Sequence, residues 1–254
     1  MITPETRQQQ IATRFSAATG YDAAAAIQRR CADVLAARIE AYCPQPGQVL
    51  EFGCGTGFLT ERLATLFPAS AILATDLAPG MIERARGRVP DVSFRVMDAE
   101  NPDISGPFGL IASSLCLQWF TDYRAGLERL CNLLSPGGVL MVTTLLEGSL
   151  GEWKAACRAE QAPCGIPDYP SETQMQAEWP VTGKGRWEVL SLTDPVRNAR
   201  HFLRGLREIG ASLPAEGSSP ASASALRRAM RRFDSQASDV TYRVGLGVYE
   251  RTGS

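Results

Sequence analysis

The residues best placed to do chemistry begin with Glu51-Phe52-Gly53-Cys54-Gly55-Thr56-Gly57. An acid precedes three glycines at alternating positions, between a run that reads as a strand and one that reads as a helix. Glycines there permit a tight turn and let a ligand approach bare backbone amides at a helix N-terminus. A dinucleotide fingerprint would put its third glycine at position 58, which is Phe58; here it comes one place early, at Gly57. Asp76 ends the next apolar run, and Asp98 follows the one after it. The single histidine, His201, and seven cysteines without a CxxC pair exclude an HExxH metalloprotease and a His-rich site. A Ser-His-Asp triad remains only if His201 supplies its base. No metal is expected.

Those groups need elements to hold them. The first forty residues read as two helices, Pro4–Ser16 and Tyr21–Tyr42, ended by Pro44, Pro46 and Gly47. Then the rhythm alternates: strand Gln48–Phe52, helix Thr56–Phe67, strand Ala71–Thr75, helix Pro79–Arg88, strands Val92–Val96 and Phe108–Ser113, helix Tyr123–Leu134, strand Val139–Leu145. Apolar strands alternating with helices predict an α/β fold with a parallel sheet covered on both faces. After Leu146 the pattern loosens into helices Glu152–Arg158 and Glu172–Trp179 around a loop, Ala162–Ser171, and a strand, Trp187–Leu192. Helices Pro195–Gly210 and Ser222–Asp234 follow, then a last strand, Val240–Tyr249.

The chain has 254 residues, 44% apolar and 21% charged, with a net charge of −1, which is ordinary globular composition. No apolar run is long enough for a membrane span, and MITPETRQQQ has neither the basic start nor the apolar block of a signal peptide. A cytoplasmic protein with reduced thiols is the expectation, with neither a membrane nor a nucleic acid as partner.

The pattern E-x-G-x-G-x-G resembles the first motif of the class I S-adenosylmethionine-dependent methyltransferases. Asp76 in Ala74-Thr75-Asp76-Leu77-Ala78-Pro79-Gly80-Met81, then Val96-Met97-Asp98-Ala99, then Leu133-Leu134-Ser135-Pro136-Gly137-Gly138 follow in that family's order. The resemblance implies a Rossmann-like, seven-stranded, mostly parallel sheet with helices on both faces. It implies cofactor contacts from Glu51 at the methionine end and from Gly53, Cys54, Gly55 and Gly57 in the loop. Asp76 would take the ribose, with Leu77 and Met81 beside it, and Asp98 with Ala99 the adenine. Short stretches outside the core are similar to the malonyl-acyl-carrier-protein O-methyltransferases of biotin synthesis: Arg14-Phe15-Ser16, Tyr21-Asp22, Leu117-Gln118-Trp119, Gly148-Ser149-Leu150-Gly151-Glu152, Leu203-Arg204-Gly205-Leu206 and Thr241-Tyr242-Arg243-Val244. What this implies is one methyltransferase domain, 1–254. Its core spans about 45–147, a helical cap comprises 1–42, 148–180 and 195–238, and the last strand is 240–249. S-adenosylmethionine would leave as S-adenosylhomocysteine.

Methyl transfer to a carboxylate needs no strong base, because the acceptor is already ionised at pH 7; alcohol methylation usually does. A chain with one histidine suits the first. Tyr21 and Gln118 are the candidates to position the acceptor: Tyr21 opens the helix expected to fold over the cofactor, and Gln118 follows the fourth strand where ligands enter open α/β sheets. Tyr21 as a packing residue and Gln118 as a solvated amide are the plainer readings. Trp119 is expected as a pocket wall. Cys54 and Cys116 carry no thiol chemistry, and His201 is read as solvated.

Positive charge gathers late in the chain. Arg197, Arg200, Arg204 and Arg207 form one helical stripe; Arg227, Arg228, Arg231 and Arg232 flank the apolar face of the next helix. Either these are solvated faces, or Arg200, Arg204, Arg228 and Arg232 dock an acidic acyl carrier protein bearing malonyl. An RNA would use the same patch. The competing functions are methylation of a small free acid such as trans-aconitate, and cofactor binding without turnover.

Overall fold

The computed structural model describes residues 4–43, 45–210 and 222–253. Three helical segments come first: α1 (Pro4–Ala17), the single turn α2 (Tyr21–Ala24) and α3 (Ala26–Tyr42). Strands and helices then alternate as β1 (Val49–Phe52), α4 (Phe58–Leu66), β2 (Ile72–Asp76), α5 (Pro79–Arg88), β3 (Ser93–Val96), β4 (Phe108–Ser114), α6 (Tyr123–Asn132) and β5 (Leu134–Leu145). The remainder is α7 (Gly151–Ala159), α8 (Glu172–Ala177), β6 (Gly183–Pro195), α9 (Ala199–Glu208), α10 (Ala223–Gln236) and β7 (Asp239–Arg251).

All seven strands form one sheet in the order β3-β2-β1-β4-β5-β7-β6. The first five are parallel; β7 runs antiparallel to both β5 and β6. That is the mostly parallel α/β sheet expected of a class I methyltransferase. Alternation along β1 shows why both faces are covered: Val49 packs with Leu35, Leu63 and Ile82 on one side, Leu50 and Phe52 with Leu127 and Leu130 on the other. A separate core joins α7, α9 and α10, where the rings of Trp153, Phe202 and Phe233 lie 5.8–6.0 Å apart. Among the described residues no helix is long and apolar enough to cross a membrane.

The structure corrects four expectations. The helix expected over Tyr21–Tyr42 breaks at Ala25 (φ −94°, ψ 41°), because Asp22 turns toward the glycine loop while Arg29 bonds the Asp22 carbonyl. The helix expected from Pro195 begins at Ala199. Pro195 instead completes β6, the Val196 N–H donates to the Ser238 carbonyl at 2.8 Å, and Asn198 caps α9. Arg197 therefore lies off the helical stripe. The last two strands are longer than expected, since they pair with each other from Gly183–Arg251 to Pro195–Asp239. Finally, α6 stops at Asn132, because the Leu133 carbonyl accepts from Phe108 and draws the chain into the sheet. Most of the linker between α9 and α10, residues 211–221, lies outside the described residues.

The N-terminal segment is fastened over the carboxyl ends of the strands. Arg84 of α5 donates to the carbonyls of Phe15 (3.0 Å), Ser16 (2.8 Å) and Ala18, at and just past the end of α1. Gly80 makes the approach possible: a Cβ there would sit 2.9 Å from Ser16 Cα.

Candidate active site

The chain leaves β1 through Gly53, Gly55 and Gly57, all with positive φ, and Gly57 begins α4. At Gly53 a side chain would meet Cys116 Sγ at 2.3 Å, so only glycine lets the loop lie against the end of β4. A second fastening holds the loop from above. Thr56 Oγ1 donates to Asp22 Oδ1 at 2.6 Å, and Arg88 donates to the Thr56 carbonyl at 2.8 Å and to Asp22 Oδ2. The guanidinium groups of Arg29 and Arg88 each lie 4.6 Å from the Phe58 ring centroid. Thus α2 is clamped onto the loop, which places Tyr21 at its rim.

Below α1 and α2 opens a cleft with about 720 Å³ of empty space, adjoined by a smaller cavity of about 300 Å³. Tyr21, Gly53, Gly55 and Ser114 line both. Asp76, Leu77, Asp98, Ala99 and Trp119 line the cleft, and Glu51 and Cys54 the smaller cavity. Three of these acids come from the ends of neighbouring strands β1, β2 and β3. No Lys, Arg or His is among the described residues lining either space. Such a surface favours a cationic ligand and disfavours the pyrophosphate of a dinucleotide.

Each acid has a distinct environment. Asp76 accepts from the Gly55 N–H at its Oδ2 and the Ala78 N–H at its Oδ1, both at 2.8 Å. An ionised carboxylate has about four acceptor positions, so about two remain for a ligand. Burial raises the Asp76 carboxyl above its ordinary range, with the two amides opposing. Glu51 is 1% exposed, and its Oε2 has no hydrogen-bond partner among the described residues. Burial pushes this carboxyl up to about 8. An orphaned carboxylate beside a cavity is what an ammonium ligand would satisfy, so these residues fit S-adenosylmethionine: Glu51 at the methionine amine, Asp76 at the ribose. Asp98 is more heavily engaged. It accepts from Gln8 Nε2 and Asn101 Nδ2 at 2.9 Å each, and from the Glu100 N–H at 3.0 Å.

Not every expected residue reaches the cleft. Met81 is buried below α1 with Ala18 and Ala78 and underpins the cap. Gly57 shapes the start of α4 and lines neither cavity. Gln118 is turned inward: its Nε2 donates to the Leu115 carbonyl at 2.8 Å and its Oε1 accepts from Thr144 at 3.3 Å. Each end of the amide makes one bond within the protein, which fixes its orientation and leaves one N–H and one lone pair for an acceptor. Trp119 packs edge-on against Phe15 of α1 at 5.3 Å. Burial raises the Cys54 and Cys116 thiols and the Tyr21 hydroxyl, so all three stay protonated. The arginines of α9 and α10 are exposed and lie apart from the cleft lining. Arg228 and Arg232 both pair with Glu160, the residue that caps the C-terminal end of α7, at 3.0 and 3.4 Å.

Sequence reasoning missed Gln8, Ile11 and Phe15, which bring α1 to the cleft. Their signal was a stripe at helical spacing with one polar member, Gln8. It also missed Glu100, whose Oε1 accepts from Thr121 N–H and hydroxyl and from the Asp122 N–H at 2.6–2.9 Å, fixing the turn into α6.

Residues 49–138 match the family described as a methyltransferase domain. A malonyl-[acyl-carrier protein] O-methyltransferase of Magnetococcus marinus is 36% identical over 97% of this chain and 94% of its own length. The biotin biosynthesis bifunctional protein BioCD of Bordetella avium is 37% identical over 98% of this chain, which spans 54% of that longer protein. Among solved structures, the YcgJ protein of Bacillus subtilis superposes with a TM-score of 0.63 at 13% identity, covering 87% of this chain and 99% of its own; that likeness shows the fold.

Proposed function

The chain belongs to the malonyl-[acyl-carrier protein] O-methyltransferase family, and on that premise we propose that it esterifies the free carboxylate of malonyl-acyl-carrier protein, in the synthesis of a biotin precursor. It is an S-adenosylmethionine-dependent methyltransferase, with the whole chain acting as one domain. The observation that carries the reading is a cleft lined by Asp76 and Asp98, adjoined by a cavity lined by Glu51, with no base of histidine or lysine type among the described lining of either.

The cofactor supplies a methyl group on a positive sulfur and leaves as S-adenosylhomocysteine. The protein's residues bind and align. Glu51 would hold the amine and Asp76 the ribose hydroxyls, with the glycine loop against the part of the cofactor between them. Helix α1, with Ile11 and Phe15 over the cleft, excludes water. No proton has to be removed from a carboxylate acceptor, so alignment of oxygen, methyl and sulfur is the main task. Tyr21 stays neutral at the rim and donates to the acceptor.

The partner is an acidic carrier protein met by Arg200 and Arg204, with Arg228 and Arg232 partly spent on Glu160. Mass spectrometry of products, with malonyl-acyl-carrier protein, malonyl-coenzyme A and trans-aconitate offered in parallel, tests this. A methylated malonyl thioester is expected. Methylated aconitate alone, or cofactor binding without product, overturns it.

A further inference from the structure

Tyr169 and Tyr242 stand where the late helices meet the catalytic half of the sheet. Tyr169 belongs to the loop between α7 and α8; Tyr242 is near the start of β7. Both pack against the Trp153–Phe202–Phe233 core and also against a smaller cluster, Ile27, Cys31, Leu145 and Val244, at the carboxyl end of β5. Leu115, a wall of the cleft, packs on that same smaller cluster. Leu115 holds a left-handed backbone (φ 53°), a conformation a leucine keeps only where its surroundings enforce it.

The loop bearing Tyr169 is firmly seated. The Glu147 N–H donates to the Pro170 carbonyl at 2.9 Å, and Lys154 Nζ donates to the Pro167 carbonyl at 3.0 Å and to Asp168 at 2.9 Å. The Lys154 ammonium lies 5.4 Å from the Tyr169 ring centroid. Yet both tyrosines are only half-buried, and neither hydroxyl makes a hydrogen bond to a described residue. The fully buried Tyr249, by contrast, shares its hydroxyl with Thr182 at 2.9 Å, whereas the hydroxyls of Tyr169 and Tyr242 are left open to a ligand. Burial raises both phenols well above their ordinary value, so they remain neutral donors.

We propose that the hydroxyls of Tyr169 and Tyr242 hold the amide-bearing thioester arm of the acceptor as it runs from the arginine-bearing helices to the cleft. Their place between the late-helix core and Leu115 of the cleft wall sets the side from which the arm would reach the cleft. Neutral donors suit the amide carbonyls of such an arm, and an apolar surround suits its methylene groups. This inference rests on the reading of the acceptor as a carrier-borne malonyl thioester.

The test is the double variant Tyr169→Phe with Tyr242→Phe, which keeps the rings and removes only the hydroxyls. Two substrates are compared: malonyl-coenzyme A, which carries the full arm, and malonyl ethanethiol ester, which lacks its amides. Loss of two hydrogen bonds should lower kcat/KM for the first by about tenfold or more, chiefly through KM. The ethanethiol ester should change by less than about twofold, and S-adenosylhomocysteine affinity by calorimetry should be unchanged. Equal loss on both substrates, loss on neither, or weakened S-adenosylhomocysteine binding overturns the tyrosine assignment. A wild-type protein inert toward every malonyl thioester overturns the functional reading and this inference with it.

Discussion

The side-chain amide of Gln8 donates to Asp98 Oδ2 at 2.9 Å, tying the N-terminal helix to the turn after β3 across the cleft. The C-terminal end of the same helix is held by three carbonyl bonds to Arg84, so its two ends are unequally fastened. Gln8 offers Asp98 the same kind of donor, a planar N–H, that an adenine amino group would. On the proposed reading, in which Asp98 takes the adenine, the two would compete for one carboxylate.

Removing the competitor should therefore help binding. Gln8→Ala is expected to speed S-adenosylhomocysteine association and tighten its Kd by roughly two- to tenfold, the worth of one charge-assisted bond. Stopped-flow fluorescence reads this directly, because Phe15 of α1 packs on Trp119. Weaker binding in the variant would mean that Gln8 contacts the cofactor instead.

The half of the chain that holds the cofactor was the more legible in sequence. In β1 every residue is buried, so Val49-Leu50-Glu51-Phe52 reads as strand whichever face is considered, and glycines mark the turn. What escaped was set by partners distant in the chain. Ala25 breaks a helix that local propensity favours, because Asp22 gains Thr56 and Arg88. Pro195 and Val196 read as a helix start, yet the pairing of β6 with β7 claims them. Gln118 looked free because its two partners, Leu115 and Thr144, are defined only once β4 and β5 lie side by side.

Asp76 has two acceptor positions committed to Gly55 and Ala78, and the rest face the cleft. Asp76→Ala should lower S-adenosylmethionine affinity by about tenfold or more, since hydrogen bonds to a charged acceptor are worth ~1.5–3 kcal/mol each. Calorimetry on the folded variant measures it. Unchanged affinity would remove Asp76 from the ribose.

Glu51 makes the pH dependence specific. Its carboxyl lies near 8 in the folded protein, well above its value in an unfolded chain. Below about pH 4 both states hold the proton and the site costs nothing. Between that and pH 8 the unfolded chain loses the proton while the folded protein keeps it, so this residue lowers stability as pH rises through the window. A ligand ammonium beside Glu51 favours the ionised form. Binding of S-adenosylhomocysteine at pH 7 should then release up to about one proton, seen by calorimetry in buffers of different ionisation enthalpy. Glu51→Gln should abolish that release. A wild-type binding heat independent of buffer would contradict it.

The arginines of the late helices divide into two groups that a single experiment can separate. Arg228 and Arg232 share Glu160 and so help to seat α10 on α7, although pairs this exposed contribute only about 0–1 kcal/mol. Arg200 and Arg204 are exposed on α9 and have no acidic partner among the described residues. If they steer an acidic carrier protein, Arg200→Glu with Arg204→Glu should cut kcat/KM for malonyl-acyl-carrier protein by about tenfold or more while malonyl-coenzyme A loses much less. The carrier reaction should also fall steeply with salt, because exposed charges are screened beyond about 8 Å at physiological ionic strength. Arg228→Glu with Arg232→Glu should add less, and partly through thermal stability, since it sets two acids against Glu160. A ratio of kcat/KM for the two substrates that does not move with the α9 reversals or with salt would make the α9 stripe a solvated face, and the carrier would dock elsewhere.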